Sequence, residues 1–349
     1  MSTPYYQDDM VTLLHGDALA MARTLTTGSV QCIVTSPPYF GLRDYGADGQ
    51  MGAEDTVAGY VAGMVGLFAE LRRTLADNGT LWLNLGDSYS ASPPGNVRGV
   101  SEKSNLAGAN SEKYRATLMA GHGTKTDTVR SSGLAPKNLI GVPWRVAFAL
   151  QADGWILRSD IIWAKPNPMP ESVTDRPTKS HEYLFLLAKS PRYYYDAGAI
   201  AEDAVKGDAG SRFDTGKTAT HQLDRAQKGP RFGGTKYGDD PTQQSRTKSG
   251  NVYTPDGTRN RRTVWTVGTQ PFPGSHFAVY PPELIRPCIL AGSRPGDTVL
   301  DPFSGSGTTG MVATQEGRKY IGIDLNSDYL DLSLKTRFAQ PVLNFGATA

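Results

Sequence analysis

Residues 299–310 read Val299-Leu300-Asp301-Pro302-Phe303-Ser304-Gly305-Ser306-Gly307-Thr308-Thr309-Gly310. An apolar run that ends in an acid and a proline, followed by closely spaced glycines, predicts a buried strand, a tight turn and then a helix. Gly305, Gly307 and Gly310 have the G-x-G-x-x-G spacing, which lets backbone pass close to a ligand with helix amides aimed at it. A second strand, Tyr320-Ile321-Gly322-Ile323, ends in Asp324. An acid at that tip suits hydrogen bonds from two ribose hydroxyls. Only 39 residues follow Gly310, too few to complete a nucleotide-binding sheet downstream. The missing strands must therefore come from the N-terminal part, which permutes the sheet and argues against a standard NAD enzyme.

Working outward, strand-like apolar runs fall at Val11–Leu14, Val30–Thr35, Thr80–Leu85, Ile156–Trp163, Tyr183–Ala188, Thr298–Leu300 and Tyr320–Ile323. Helical periodicity is clearest from about Thr56 to Leu75, where Tyr60, Met64, Leu67, Phe68, Leu71 and Leu75 share one stripe and Asp77-Asn78-Gly79 ends it. Further helices are expected at about 143–152, 281–291, 307–316 and 326–337. Strands alternating with helices imply an α/β fold, a parallel sheet covered on both faces, with ligands at the carboxyl ends of the strands.

A second unusual loop belongs at that rim. Val30–Thr35 is broken at once by Ser36-Pro37-Pro38-Tyr39-Phe40. Two prolines remove two amide donors and stiffen the chain, leaving carbonyls and the Ser36 hydroxyl to accept hydrogen bonds beside an aromatic surface. Such a loop suits a planar ring that carries an exocyclic amino group.

Composition narrows the classes. The 349 residues carry a net charge of +2, are 38% hydrophobic and include 39 glycines and 23 prolines. No run approaches the ~18 apolar residues of a membrane span, and the start lacks the basic-then-apolar order of a signal peptide. Cys32 and Cys288 make no disulfide framework, and with five scattered histidines no zinc spacing appears. A cytoplasmic enzyme with no metal and no membrane partner is the expectation. The charge is uneven. Residues 91–137 hold seven Lys/Arg against three acids, and 206–262 hold twelve against six. Both are loop-like, and they read either as solvated loops or as surfaces that meet a polyanion.

The two loops together resemble the signature of amino-group DNA methyltransferases, which use S-adenosylmethionine. The order, Thr-Ser-Pro-Pro-Tyr at 35–39 first and Asp-Pro-Phe-Ser-Gly-Ser-Gly-Thr-Thr at 301–309 last, is similar to the circularly permuted β class. His15-Gly16-Asp17-Ala18-Leu19, Gly79–Asn84, Ile162–Pro168, His181-Glu182-Tyr183 and His276–Pro281 resemble further segments of that family in the right order. The resemblance implies a Rossmann-like methyltransferase sheet with basic, loop-rich insertions. Its catalytic half would be 1–196, with an insertion at 91–137. Residues 197–262 fall in the target-recognition slot, and 263–349 form the cofactor half. It implies catalytic roles for Ser36, Pro37, Pro38 and Tyr39. The cofactor would lie on Asp17, Asp301, Phe303, Ser304, Gly305, Ser306, Gly307, Thr308 and Asp324, with His276 and Phe277 at its methionine end. Phe40, Lys165 and Asn167 are expected to line the target-base pocket. Arg212, Lys217, Arg231, Lys236, Arg246, Lys248, Arg261 and Arg262 are the expected phosphate contacts.

The implied partner is double-stranded DNA, with a cognate restriction endonuclease as a further partner and a monomeric or homodimeric state. Members with Ser in the first loop position are mostly cytosine-N4 enzymes, so Ser36 favours cytosine over adenine-N6; the His-x-Ala-x-Tyr-Pro form at 276–281 points the same way. Three other readings stand beside this one. Cytosine-C5 chemistry would need Cys288 as nucleophile, yet it falls in a predicted helix, where a buried thiol is expected. His181-Glu182 begins like a zinc-protease helix, but Phe185 stands where the second histidine would be. A non-catalytic DNA-binding protein explains the basic insertions but not the glycine loop with Asp324.

Overall fold

The computed structural model describes residues 3–41, 50–90, 132–203, 258–270 and 280–338. In chain order the strands are β1 (Tyr6–Gln7), β2 (Val11–His15), β3 (Val30–Thr35), β4 (Leu75–Leu85), β5 (Ile156–Ala164), β6 (His181–Ala188), β7 (Glu202–Asp203), β8 (Thr258–Arg259), β9 (Val264–Thr266), β10 (Thr298–Asp301) and β11 (Lys319–Asp324). The helices are α1 (Ala18–Thr24), α2 (Val57–Thr74), α3 (Val142–Ala152), α4 (Pro282–Gly292), α5 (Thr308–Gln315) and α6 (Ser327–Ser333), the last continued by a π-helical turn over Leu334–Phe338.

Nine strands form one sheet in the order β1-β2-β11-β10-β3-β4-β6-β5-β9. The two C-terminal strands lie between β2 and β3, so strands far apart in the chain are neighbours in the sheet. β2, β11, β10, β3 and β4 run parallel. Reversal comes at β6, antiparallel to both β4 and β5, and at the short edge strand β1. This is the permuted, mostly parallel α/β sheet that the order of the two loops predicts.

Period-2 alternation sorts the strand side chains between the two faces. Leu81, Leu83 and Leu85 of β4 join the core beneath α2 and α3, together with Leu300 and Ile323 of the C-terminal strands. Trp82, one residue out of phase, stacks on Tyr195 and meets Trp265. On β3 and β4 packs α4, with Leu284, Ile285, Cys288 and Ile289 buried. Cys288 is therefore enclosed in a helix, as the periodicity expects. The stripe predicted on α2 is buried from Tyr60 through Leu71. Each such side chain contributes ~1.5–3 kcal/mol of burial, and Thr56 caps the helix by accepting from the Gly59 amide at 3.0 Å.

Two local readings differ. Asp77-Asn78-Gly79 does not stand outside the strand but lies within β4, as a bulge between the pairs Val30–Leu75 and Cys32–Thr80. Leu75, the last member of the α2 stripe, is the first residue of that strand. α1 was not expected as a helix; Asp17 caps it, accepting from the Ala20 amide at 2.8 Å.

The chain divides into two compact units, one from residues 1–196 with 263–349 and one from 197–262. Within the smaller unit β7 pairs with β8, and Glu202 accepts from Arg259 Nε and Arg262 Nε, each at 3.1 Å. Of the other predicted phosphate contacts, Arg261 is half-buried, and Arg212, Lys217, Arg231, Lys236, Arg246 and Lys248 lie outside the described residues, as does 91–131 of the expected first insertion. Among the described residues no helix is long and apolar enough to cross a membrane.

Candidate active site

At the carboxyl end of β10 the Asp301 carboxylate is 2% exposed. One oxygen accepts from Thr35 Oγ1 at 2.7 Å and from the Phe303 amide at 3.0 Å. The other accepts from Thr309 Oγ1 at 2.6 Å and Tyr280 Oη at 3.0 Å. Burial raises its pKa, and these four donors oppose the rise. A buried charge is tolerable only when so surrounded. Thr35 immediately precedes Ser36, so this one carboxylate fastens the serine–proline corner to the glycine loop.

The glycine loop is closed from the neighbouring strand. Ser304 N donates to Ile323 O at 2.8 Å, Tyr320 Oη to Ser304 Oγ at 2.9 Å, and Gly305 N to Asp324 Oδ2 at 2.7 Å. Gly307, with φ 76°, enters α5 in the left-handed region, where a side chain would be strained and would crowd Ser333. Asp324 Oδ1 accepts from the Asn326 amide at 2.9 Å. Burial pushes this carboxyl up to about 6 against the pull of its two amide bonds. Ser304, Ser306 and Thr308 are buried, with Ser306 Oγ and Thr308 Oγ1 3.5 Å apart, so their side chains shape the loop from within. Phe303 is half-buried against the core. Just past the end of β2 the Gly16 amide donates to Asp324 O at 2.9 Å, which sets Asp17, exposed at its helix cap, beside the same rim. His276 and Phe277 lie outside the described residues.

In the serine–proline corner, Pro37 is buried and the Pro38 carbonyl accepts from Tyr60 Oη at 3.0 Å. Ser36 Oγ donates to Tyr39 Oη at 3.3 Å. Tyr39 Oη reaches Glu182 Oε2 at 2.7 Å and Asn84 Oδ1 at 3.2 Å. Burial, reinforced by the Glu182 charge, lifts the phenol well above its ordinary pKa, so it keeps its proton. Its ring lies where a Cβ on Gly86 would sit 2.5 Å away, and only glycine at the end of β4 admits it. Glu182 reaches this rim because β6 runs backwards, with Glu182 opposite Trp163 and Tyr183 opposite Leu85.

The three residues expected around the target base are placed differently from one another. Phe40 turns away into the core, 2% exposed, with its ring centroid 5.7 Å from that of Tyr60. It anchors the corner from below and is not a wall of an open pocket. Lys165 is at the rim, but its ammonium pairs with Glu182 at 2.5 Å and lies 4.1 Å over the Trp163 ring. Asn167 is exposed and its amide is engaged with the Thr269 backbone at 2.9 and 3.1 Å. Conversely, Thr35, Asn84, Glu182, Tyr280 and Thr309 hold the two loops yet carry no signal of that role in the sequence. All five lie within segments that the sequence singles out, Thr35 and Thr309 in the two signature loops and Asn84, Glu182 and Tyr280 in the further family-like stretches.

Comparison with known proteins gives the family of the chain. Residues 30–335 match the DNA methylase family of the N6/N4 type. The type II methyltransferase M.Cfr9I of Citrobacter freundii is 48% identical over 323 residues, covering 93% of this chain and 86% of that protein. Among solved structures, the PvuII DNA methyltransferase, titled cytosine-N4-specific, superposes with a TM-score of 0.59 at 16% identity, covering 97% of this chain and 90% of that one. A DNA modification methylase of Thermus thermophilus, solved in complex with S-adenosyl-L-methionine, gives 0.52 at 20% identity, covering 95% and 96%. At these identities the two structures speak for the fold. The extent of the family match and the near-half identity along nine-tenths of the sequence settle the relationship: the chain belongs to the N6/N4 DNA methylase family.

Proposed function

We propose that this methylase transfers a methyl group from S-adenosylmethionine to the exocyclic N4 of cytosine in double-stranded DNA. The observation that carries the reading is the 2.7 Å bond from Thr35 to Asp301, which supports a single site built from loops 266 positions apart.

The donor set at the glycine loop fits S-adenosylmethionine. Asp324 offers carboxylate lone pairs beyond its two amide bonds, suited to ribose hydroxyls. Asp17 is exposed at the cap of α1, just past the adjacent strand, for the adenine end, and Phe303 offers apolar surface beside the main chain of 304–308. When bound, the cofactor supplies an electrophilic methyl group. The protein's task is then to present a nucleophile. An exocyclic amine is a poor one, because its lone pair is delocalised into the ring. Ser36 Oγ and the Pro37 carbonyl accept hydrogen bonds from that amine, which localises the lone pair and stabilises the positive charge that develops on nitrogen. Tyr39 stacks on the base, and Pro38 stiffens the turn. The amine is out of reach inside a duplex, so the base is flipped out at a cost of a few kcal/mol. Phosphate contacts from the basic residues of 197–262, Arg261 and Arg262 included, offset that cost.

Ser36 in the first loop position favours cytosine-N4 over adenine-N6. The type II designation of M.Cfr9I supports a place beside a restriction endonuclease that reads the same site. Mass spectrometry of nucleosides from DNA treated with the enzyme tests the reading. N4-methylcytosine is expected, and N6-methyladenine alone would overturn the choice of base.

A further inference from the structure

Ser36 can serve the proposed reaction only as an acceptor, yet a serine hydroxyl both donates and accepts, and its own proton is free to rotate. Something must decide which way that proton points. In this structure the answer runs through three side chains: Ser36 Oγ donates to Tyr39 Oη at 3.3 Å, and Tyr39 Oη donates to Glu182 Oε2 at 2.7 Å. A carboxylate has no proton to give, so the chain can run in one direction only. It draws the phenolic proton to Glu182, and the phenolic oxygen in turn accepts the serine proton. The lone pairs of Ser36 are left for the substrate amine. Lys165 fixes the other carboxylate oxygen at 2.5 Å, with its own ammonium held over Trp163. Asn84 cannot replace Glu182 as a fixed terminus by charge, although its amide oxygen, 3.2 Å from the phenol, is a weaker second acceptor. The amide nitrogen of Asn84 is tied to the Tyr183 carbonyl at 3.0 Å, so that oxygen is held facing the phenol.

We propose that Glu182, seated by Lys165, is a positioning residue that orients the Tyr39 hydroxyl and through it makes Ser36 an obligate acceptor for the target amino group. The inference rests on the proposed function and deepens it at the same site. Glu182 does not touch the base; it acts through Tyr39.

The test is single-turnover methyl transfer to DNA by the full chain carrying Glu182→Gln, Tyr39→Phe, both, or Ser36→Ala. Glutamine keeps the shape of glutamate, but its NH2 group can turn toward the phenol and reverse the chain. Glu182→Gln is expected to slow transfer about ten- to a hundredfold, a loss of orientation felt at the reacting amine. Affinities for DNA and for S-adenosylmethionine are expected to stay unchanged, a split that general loss of structure would not give. The double variant is expected to be no slower than Tyr39→Phe, because the two residues act in series. Tyr39→Phe leaves the Lys165–Glu182 pair intact and carries the test should Glu182→Gln fold poorly. A wild-type rate in Tyr39→Phe or Glu182→Gln, or losses that multiply in full in the double variant, would overturn the proposal. Ser36→Ala separates the two levels. If it transfers at the wild-type rate, the proposed function itself fails; if it is slow while Glu182→Gln is not, only the positioning role fails.

Discussion

The glycine loop is held from behind by two carboxylates, Asp301 and Asp324, which between them take bonds from main-chain amides and from the hydroxyls of Thr35, Tyr280 and Thr309. The serine–proline corner, which has given up two amides, is held among the described residues mainly by side chains: Thr35 on Asp301, Phe40 and Tyr60 below, Tyr39 and Glu182 to one side. The difference follows from what each loop has to offer. A loop that presents backbone to a ligand must fix that backbone with acceptors buried behind it. A loop that presents acceptors must keep donors away from them, and proline does so while aromatic packing supplies the rigidity. Damage to the first loop should therefore register as lost stability and cofactor affinity, and loss of the acceptors that the second presents as lost rate.

The largest effect is expected at the joint between them. Asp301→Ala strands three hydroxyls and an amide without their acceptor in a buried place, costing about 4 kcal/mol. Urea denaturation checks this, and a loss under about 1 kcal/mol would show that the joint is not what binds the loops. Phe40→Ala comes next. Removing an enclosed aromatic ring costs about 3 kcal/mol, read as a lower midpoint of thermal unfolding, with transfer slowed because the corner loses its floor. An unchanged midpoint would return Phe40 to the pocket wall that the sequence suggested.

The third effect depends on pH. Burial lifts the Asp324 carboxyl from 3.8 to about 6. A raised acid favours the protonated folded state, so its contribution to stability is complete below pH 3.8 and is lost as the pH rises to about 6. Relative to Asp324→Asn, the wild-type chain should lose about 3 kcal/mol across that window. Affinity for S-adenosylmethionine should move the opposite way, tightening as the carboxylate ionises and becomes a better acceptor for hydroxyls. Calorimetry over the same window checks both signs. A flat difference between the two proteins would mean that Asp324 is not buried enough to matter.

Much of this fold was legible because its signals are local. Val30–Thr35 announced β3 to the residue, and the 3.6 period announced α2. Elements without a period were not: α1 is one capped helix of seven residues, and β9 has three residues whose pairing with β5 is set by the sheet. The bulge at Asp77–Gly79 looked like a turn because the same residue types make both. For the site, the two loops were readable from their own spacing. What holds them was not, since Glu182 meets Tyr39 across 143 positions and only because β6 is reversed. Adjacent aromatics posed a similar problem: nothing local tells Tyr39, which faces the rim, from Phe40, which faces the core.

The central claim is that the two loops form one site with divided labour, and single-turnover transfer of a labelled methyl group to DNA tests it most directly. With Asp324→Ala, transfer should slow at low S-adenosylmethionine and recover toward the wild-type rate as the cofactor is raised. With Ser36→Ala, the rate should stay low at every cofactor concentration while binding is unaltered. Wild-type transfer by Ser36→Ala, or cofactor affinity untouched in Asp324→Ala, would contradict the account.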